Sequence, residues 1–396
     1  MWFVFVGVGF ALVIAGGLYT RRRLASSLAA LGVGPRAIRI MRWVSAWLMF
    51  GFPVLMIVAI TGSAVLGRET MPRFEGMAAA WLLGVPFLWA VLVMLQALPW
   101  LLVGEVVRIV FRRRPAVRRA HAIAVVAVLA GFGLYTPLRV IAQRGELRVR
   151  HHELGRGVGT PFRIAYVADL QQDVHTDAAR AADMIAPINA SGADVVLSGG
   201  DWINSSPDFN EAAAASAGAL RSRLGTFTVL GDHEHFAYFD RERSVREIEA
   251  AMARHGVAML DNEVRLFAHE GKTIGVAFLN YNYVTRATPP VVAALLGKLA
   301  GADYKIVVTH QFDARLAALL KDQVDLVLAA HTHGGQINPV VGVVHVPLAR
   351  LETIYIDGRY ALGEKTTVIV TAGIGYSLVP VRYASPSSLE IIELRL

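Results

Sequence analysis

The sequence predicts a bundle of four transmembrane α-helices followed by an α/β domain. Three observations predict it. Four uncharged apolar stretches succeed one another within the first 143 residues. From about residue 145 the texture changes to short β-rich runs separated by Ala-rich helical stretches. Charge divides at the same place: residues 1–150 carry 18 Arg against 4 Glu, whereas the remainder carries 21 basic against 27 acidic residues. The expected organisation is therefore 1–143 in the membrane and 144–396 outside it. The overall charge of +8 belongs to the apolar half, a pattern of positively charged membrane loops and not of a phosphate-tracking face, so no nucleic-acid partner is expected. No protein partner is predicted. There is no cysteine, which excludes disulfides, thiolate metal sites and cysteine nucleophiles.

The four apolar stretches are 1–20, 43–67, 76–104 and 120–138. Each reaches the roughly 18 to 20 residues that a helix needs to cross about 30 Å of hydrocarbon. Pro53, Pro86, Pro99 and Pro137 lie in or beside these runs, where neighbouring helices satisfy the carbonyls they free. The first loop holds Arg21, Arg22, Arg23, Arg36, Arg39 and Arg42, and the third holds Arg112, Arg113, Arg114, Arg118 and Arg119; the second has two Arg and two Glu. Arginine is retained on the cytoplasmic side. Loops one and three are then inside, and the chain after the fourth helix emerges on the outer face. With Arg 34 against Lys 5, the bias of a GC-rich bacterial coding sequence, the expectation is a multi-pass inner-membrane protein with a periplasmic catalytic domain. A cleaved signal peptide is not expected, because 1–20 has no basic leading segment and runs into arginines.

In the second part, strands are expected at 163–168, 194–197, 226–230, 273–279, 304–309, 324–328, 343–346, 366–371 and 389–394, with helices at 176–190, 210–224 and 243–255. Alternating strand and helix argues an α/β domain. What stands at the strand ends is informative. Asp169 follows RIAYVA, Gly200-Asp201 follows VVLSG, and Gly231-Asp232-His233-Glu234 follows TFTVL. His310 follows YKIVVT, and His331-Thr332-His333-Gly334-Gly335-Gln336 follows LVLAA. Five apolar strands thus deliver a carboxylate or an imidazole at the C-terminal edge, where open α/β sheets bind ligands. A lone Asp there is more often a turn former; turn chemistry has no reason to favour His at three of the five ends. Oxygen and imidazole donors without sulfur suit Mn²⁺, Zn²⁺, Fe or Mg²⁺, in number enough for two ions.

Asp169-Leu170-Gln171, Gly200-Asp201, Gly231-Asp232-His233-Glu234, His310 and the His331 to Gln336 run resemble, in order and strand context, the calcineurin-like metallophosphoesterases. The likeness covers about residues 145–396, and the tail from Gly373 through Arg382 to Glu390 is similar to the closing segment of the membrane-linked branch. The resemblance implies a four-layer αββα sandwich and two divalent metal ions. One ion would take Asp169, Gln171, Asp201 and His333; the other Asp201 as bridge, Asp232, His310 and His331. His233 matches the histidine that contacts the scissile phosphate and protonates the leaving oxygen. The implied activity is hydrolysis of a phosphodiester, pyrophosphate or phosphomonoester by metal-activated hydroxide, with a phosphate ester, including a lipid-linked one, as partner.

Two positions depart from that pattern. Gln171 stands where the first motif usually ends in His, and Asp232 where the third usually has Asn. The additional carboxylate strengthens cation binding and makes bound water less acidic; His175 or Asp173 is a candidate substitute for the missing imidazole. Glu234 is expected to orient His233 or to cap a helix. Arg144, Arg148, Arg150, His151, His152 and Arg156 are candidate contacts to anionic headgroups, and Trp202, Phe236, Tyr238 and Phe239 candidate pocket walls. Two alternatives stay open: a metal-binding sensor or scaffold with little turnover, and a UDP-diacylglucosamine pyrophosphatase-like enzyme facing the cytoplasm.

Overall fold

The computed structural model describes residues 2–70, 77–155 and 157–396, and side chains from residue 11 onward apart from 12 and 77. Packing divides the chain into two units. The first comprises Met1–Gly62, Gly76–Arg144 and Asn338–Val346; the second comprises Ser63–Glu75, Gly145–Ile337 and Pro347–Leu396.

In the first unit, helix α1 spans Trp2–Ala30, α2 spans Pro35–Val65, α3 spans Val85–Val110 and α4 spans Pro115–Ala142. A π-helical turn, Ala80–Gly84, leads into α3 just ahead of Pro86. Pro53, Pro99 and Pro137 lie inside their helices. Three segments are long and apolar enough to cross a bilayer: Pro35–Val65, Ala80–Val110 and Pro115–Ala142. Three, not four, is thus the number of candidate spans among the described residues. The expected first span falls on the beginning of α1, whose side chains at 2–10 lie outside the described set, and the remainder of α1 carries Arg21, Arg22 and Arg23. Trp43, Ile57, Val58, Leu82 and Leu134 are each more than about two-fifths exposed, a surface that water would oppose and acyl chains accept.

Several polar groups within this unit are paired. Gln96 donates to Thr136 Oγ1 (3.0 Å) and to the Leu92 carbonyl (3.1 Å), and Trp89 donates to the Gly133 carbonyl. Helix α3 continues past the expected end at 104 and takes in Glu105, which lies 2.9 Å from Arg23, beside Arg108, and 3.6 Å from His121. An anion beside two cations is affordable near a helix end; alone it would not be. A short hairpin, Val340–Val341 with Val344–His345, packs with these helices.

The second unit holds two six-stranded mixed sheets. In chain order the strands are β1 Leu147–Gly155, β2 Phe162–Val167, β3 Val195–Ser198, β4 Thr226–Thr228, β5 Ala258–Met259, β6 Glu263–His269, β7 Lys272–Leu279, β8 Tyr304–Thr309, β9 Leu326–Ala329, β10 Gly358–Leu362, β11 Thr366–Val370 and β12 Ser387–Arg395. One sheet has the order β1-β12-β2-β3-β4-β5, and the other β10-β11-β9-β8-β7-β6. Strands β2 to β5 run parallel, as do β7, β8, β9 and β11, while β12 and β6 pair antiparallel to β2 and β7.

Alternation along each strand decides which side each residue serves. Ile164 and Tyr166 of β2, Val195 and Leu197 of β3, Ile306 and Val308 of β8, and Leu326 and Leu328 of β9 share one buried cluster between the sheets. Their neighbours Ala165, Val167 and Val196 turn outward onto helices α5 (Ala178–Ala190), α6 (Asn210–Gly218) and α7 (Arg241–Arg254). Val307, Val327 and Ala329 likewise meet α8 (Pro289–Lys298) and α9 (Ala314–Leu320). Both faces of the central strands are therefore apolar, as parallel sheets require.

Candidate metal centre

Strands β2, β3 and β9 end in residues whose backbone leaves the extended region abruptly. Asp169, Gln171, Asp201, His331 and His333 all have positive φ, between 48° and 73°. A non-glycine residue there costs on the order of 1–3 kcal/mol, and such residues gather at functional sites. Main-chain bonds hold the turns in place: Asp169 N donates to Gly200 O (2.9 Å), Gln171 N to Asp201 O (3.0 Å), and Gly375 N to Asp169 O (2.7 Å).

The side chains converge. Asp201 Oδ2 lies 3.1 Å from Gln171 Nε2, 3.4 Å from His310 Nε2 and 4.0 Å from His233 Nε2. Asp232 Oδ2 lies 3.2 Å from His310 Nε2 and 2.8 Å from His331 Nδ1. His333 Nε2 lies 3.1 Å from Gln171 Nε2, and His310 Nδ1 lies 4.0 Å from Asp169 Oδ1. Two groups have donor atoms close enough for one ion each: Asp232, His310 and His331, and Asp169, Asp201 and His310. Asp169, Gln171, Asp201, Asp232, His310, His331 and His333 are thus brought into one cluster, in which His310 is common to both groups and Asp201 Oδ2 lies 3.4 Å from it.

The donor set fits cations. Both carboxylate oxygens of Asp169 and Oε1 of Gln171 are buried without a hydrogen-bond partner, and Oδ2 of Asp232 is met by the imidazole nitrogens of His310 and His331. Such atoms are expensive unless something positive meets them. Gln171 presents its NH₂ to Asp201 and His333; the two ends of an amide are assigned from surroundings, and rotation by 180° turns Oε1 toward those same atoms, as ligation requires.

Electrostatics says the same. Burial pushes Asp169 up to about 7, against the pull of His310. Burial also opposes ionisation of Asp201 and Asp232, but the imidazoles of His310, His233 and His331 hold both below the ordinary carboxylate range. Burial lowers His310 and His331, yet Asp201 and Asp232 outweigh it, raising His310 well above its ordinary value and His331 to about 10. Without cations, the positive charge that these carboxylates demand is carried as protons on imidazole. His333 is the exception: burial and the guanidinium of Arg382 keep it neutral.

His233 sits at the rim, its side chain 14% exposed. Its backbone N–H donates to Asp201 Oδ1 (2.8 Å), which reserves Oδ2 for the cluster. The ring Nδ1 bonds the Asn204 carbonyl, which can only accept, so the proton is on Nδ1 and Nε2 is left to exchange one. Nε2 also lies 3.4 Å from Ser377 Oγ.

Glu234 does neither of the tasks expected of it. Its carboxylate accepts the backbone N–H groups of Asp201 (3.0 Å), Trp202 (2.6 Å) and Gly231 (2.7 Å), tying the second motif to the third; burial raises it to about 7. Asp173 does not replace the missing imidazole either, since its oxygens accept from His175 N, Thr176 N and Asn204 Nδ2. Arg148, Arg150 and His152 pair with Glu146, Asp357 and Glu390, so β1 uses them structurally; Arg156 lies outside the described residues. Trp202 is buried and donates to Thr228 Oγ1, and Tyr238 bonds Glu247, so both belong to packing. Phe236 alone of the expected aromatics approaches the cluster, edge-on to His233 at 6.1 Å.

Sequence reasoning missed several contributors. Tyr283 N donates to Asp232 Oδ1 (2.5 Å), and Glu352 Oε1 lies 3.2 Å from His331 Nε2. Arg382, noted only as part of the tail, is buried and donates to the carbonyls of His333, Ala372, Gly373, Gly375 and Ser385. Gln311, adjacent to His310, was within reach of the motif; the others arrive from loops that no spacing rule connects to it.

The profile of the calcineurin-like phosphoesterase family matches residues 162–335. A metallophosphoesterase from Campylobacter jejuni is 27% identical over 221 residues, covering 54% of this chain and 53% of the relative, so the chain spans about half of that protein's length. A transmembrane protein with metallophosphoesterase domain from Danio rerio is 26% identical over 297 residues, covering 69% of this chain and 62% of the relative. The phosphodiesterase YaeI of Escherichia coli is 25% identical over 277 residues, covering 68% of this chain and 95% of the relative. All five strand-end motifs lie inside or directly at the edge of the matched span, so residues 162–335 carry a calcineurin-like phosphoesterase domain, and the chain is similar to metallophosphoesterases, a transmembrane one among them.

Proposed function

We propose that the protein is a membrane-anchored phosphoesterase that uses two divalent cations to hydrolyse a phosphodiester, pyrophosphate or phosphomonoester, a lipid-linked ester among its candidate substrates. The observation that carries this reading is the convergence of seven donor side chains, partnerless buried oxygens of Asp169 and Gln171 among them, from the C-terminal strand ends of the two sheets. Asp169, Gln171, Asp201 and His333 would hold one cation, and Asp201, Asp232, His310 and His331 the other. Bound there, the cations supply Lewis acidity at phosphoryl oxygens and bring the ionisation of water toward neutral pH.

The chain's own residues supply the rest. Asp201, its Oδ1 engaged by the His233 amide, would offer Oδ2 to the cations. His233, with Nδ1 fixed by the Asn204 carbonyl, presents Nε2 at the rim, where it donates to a phosphoryl oxygen and gives up a proton to the leaving oxygen. Burial of the cluster keeps water from competing for the carboxylates. The arginine-rich first and third loops support a cytoplasmic position for both, and hence an extracytoplasmic catalytic domain in the inner membrane.

The test is hydrolysis of bis-p-nitrophenyl phosphate by the full-length chain in detergent. Turnover with Mn²⁺ that vanishes after chelation and in Asp201→Asn supports the reading; turnover indifferent to both removes it, and turnover absent with every divalent ion tried removes it in favour of a sensor. A C-terminal reporter active only outside the cytoplasm supports the orientation, and one active only in the cytoplasm reverses it.

A further inference from the structure

The two nitrogens of His331 face different chemistry. Nδ1 points into the cluster, 2.8 Å from Asp232 Oδ2 and 3.3 Å from His310 Nε2. Nε2 points out of it, 3.2 Å from Glu352 Oε1 and 3.1 Å from the amide nitrogen of Gln311. Only a bare Nδ1 can ligate, so the ring must keep its one proton on Nε2.

The two neighbours of Nε2 make opposite demands. A carboxylate only accepts and therefore draws the proton to Nε2; an amide NH₂ only donates and therefore favours a bare Nε2, with the proton on Nδ1. Gln311 Nε2 also lies 3.5 Å from Glu352 Oε1, so the carboxylate can take the donations of both. We infer that Glu352 is a positioning residue that selects the ligating tautomer of His331 and so sets the affinity of the second cation site. This rests on the two-cation reading above.

Glu352 is built for that duty. The next residue, Thr353, donates to the Phe312 carbonyl (2.9 Å), two positions after His310. Thr332, the neighbour of His331, bonds the Ile356 carbonyl, four positions after Glu352. The loop bearing the carboxylate is thereby fastened to both loops bearing imidazoles of that site. The ring of Tyr283 stands edge-to-face on His331 at 4.8 Å and its side chain bonds Glu352. Partners of this kind alter metal affinity about 10- to 100-fold when removed.

The experiment is Mn²⁺ titration of the full-length chain in detergent, followed by calorimetry and by electron paramagnetic resonance, for wild type, Glu352→Gln, Glu352→Asp and Glu352→Gln combined with Gln311→Leu. Wild type is expected to take two ions with the coupled signal of an ion pair. Glu352→Gln is expected to bind the second ion about 10- to 100-fold more weakly and to show a mononuclear spectrum. Glu352→Asp should recover part of the loss, and so should removal of the competing Gln311 amide, which a merely structural role would not produce. Equal affinity and spectrum in wild type and Glu352→Gln, or loss in all variants without any recovery, overturns the inference. If wild type binds two ions and hydrolyses nothing while Glu352→Gln loses one, the phosphoesterase reading fails and this one stands; if wild type takes up no Mn²⁺, both fail.

Discussion

Replacing Asp232 with Asn removes one negative charge from the point where two imidazoles meet. Asp232 Oδ2 is 2.8 Å from His331 Nδ1, a separation worth about 6 kcal/mol at an effective dielectric of about 20. The rise of His331 from 6.5 to about 10 corresponds to about 5 kcal/mol, which agrees in size and includes a share from Glu352. Without Asp232 the His331 proton should therefore be lost about two to three pH units lower. At pH 7 a cation must displace that proton in the wild-type chain at a cost of about 4 kcal/mol and in Asp232→Asn at about 1. The saving of about 3 kcal/mol offsets much of what is lost when an anionic ligand becomes an amide. The expected result is a Mn²⁺ affinity at pH 7 within about 100-fold of wild type, a pH dependence shallower by about one proton, and turnover retained or raised. Calorimetric titration of both proteins from pH 6 to 9 measures this. Abolished metal binding, or an unchanged pH slope, would refute the reasoning.

Asp169 is held at about 7, so below that pH a cation must also displace its proton; Mn²⁺ affinity should steepen by about one further proton as pH falls through 7, read from proton release in two buffers of different ionisation enthalpy, and a flat profile there would contradict the assignment. Gly373 has φ +66° and a Cβ there would lie 2.5 Å from Asp169 Oδ2, whereas Gly342 has the same φ and no atom within 4 Å. Gly373→Ala should lose metal affinity and about 1–3 kcal/mol of stability beyond the backbone cost that Gly342→Ala shares; equal effects would remove the steric account. Arg382→Leu strips donors from five buried carbonyls and should cost about 3 kcal/mol or more in unfolding free energy, with Arg382→Lys recovering only part because it cannot span them; a change under about 1 kcal/mol would mean that water replaces the guanidinium.

Long strands with apolar runs were legible: 163–168, 273–279 and 304–309 were read within a residue of β2, β7 and β8. β1 was not, because Leu147–Gly155 is an edge strand whose basic side chains conceal its alternation and whose partner, β12, lies more than two hundred residues away. β6 was missed although Glu270 and Gly271, both at positive φ, form the two-residue turn that joins it to β7. α8 and α9 also went unread, each announced by a cap residue, Thr288 before two prolines and Asp313. The candidate ligands were readable because the parallel strands of each sheet put their C-terminal ends on the same edge of that sheet, so chain order alone lists them. Glu352, Tyr283 and the carbonyl-binding duty of Arg382 were not readable, since loop conformation and not strand position brings them in. The fate of Glu234 was hidden for the same reason: its three partners are amides contributed by two different turns.

The central claim is that Asp201 joins two cations held by the strand-end residues. Anomalous diffraction from crystals of the full-length chain grown with Mn²⁺ tests it most directly. The account predicts two peaks about 3.5 to 4 Å apart with Asp201 Oδ2 between them, one flanked by Asp169, Gln171 and His333 and the other by Asp232, His310 and His331. A single peak, or a pair that Asp201 does not touch, would contradict it.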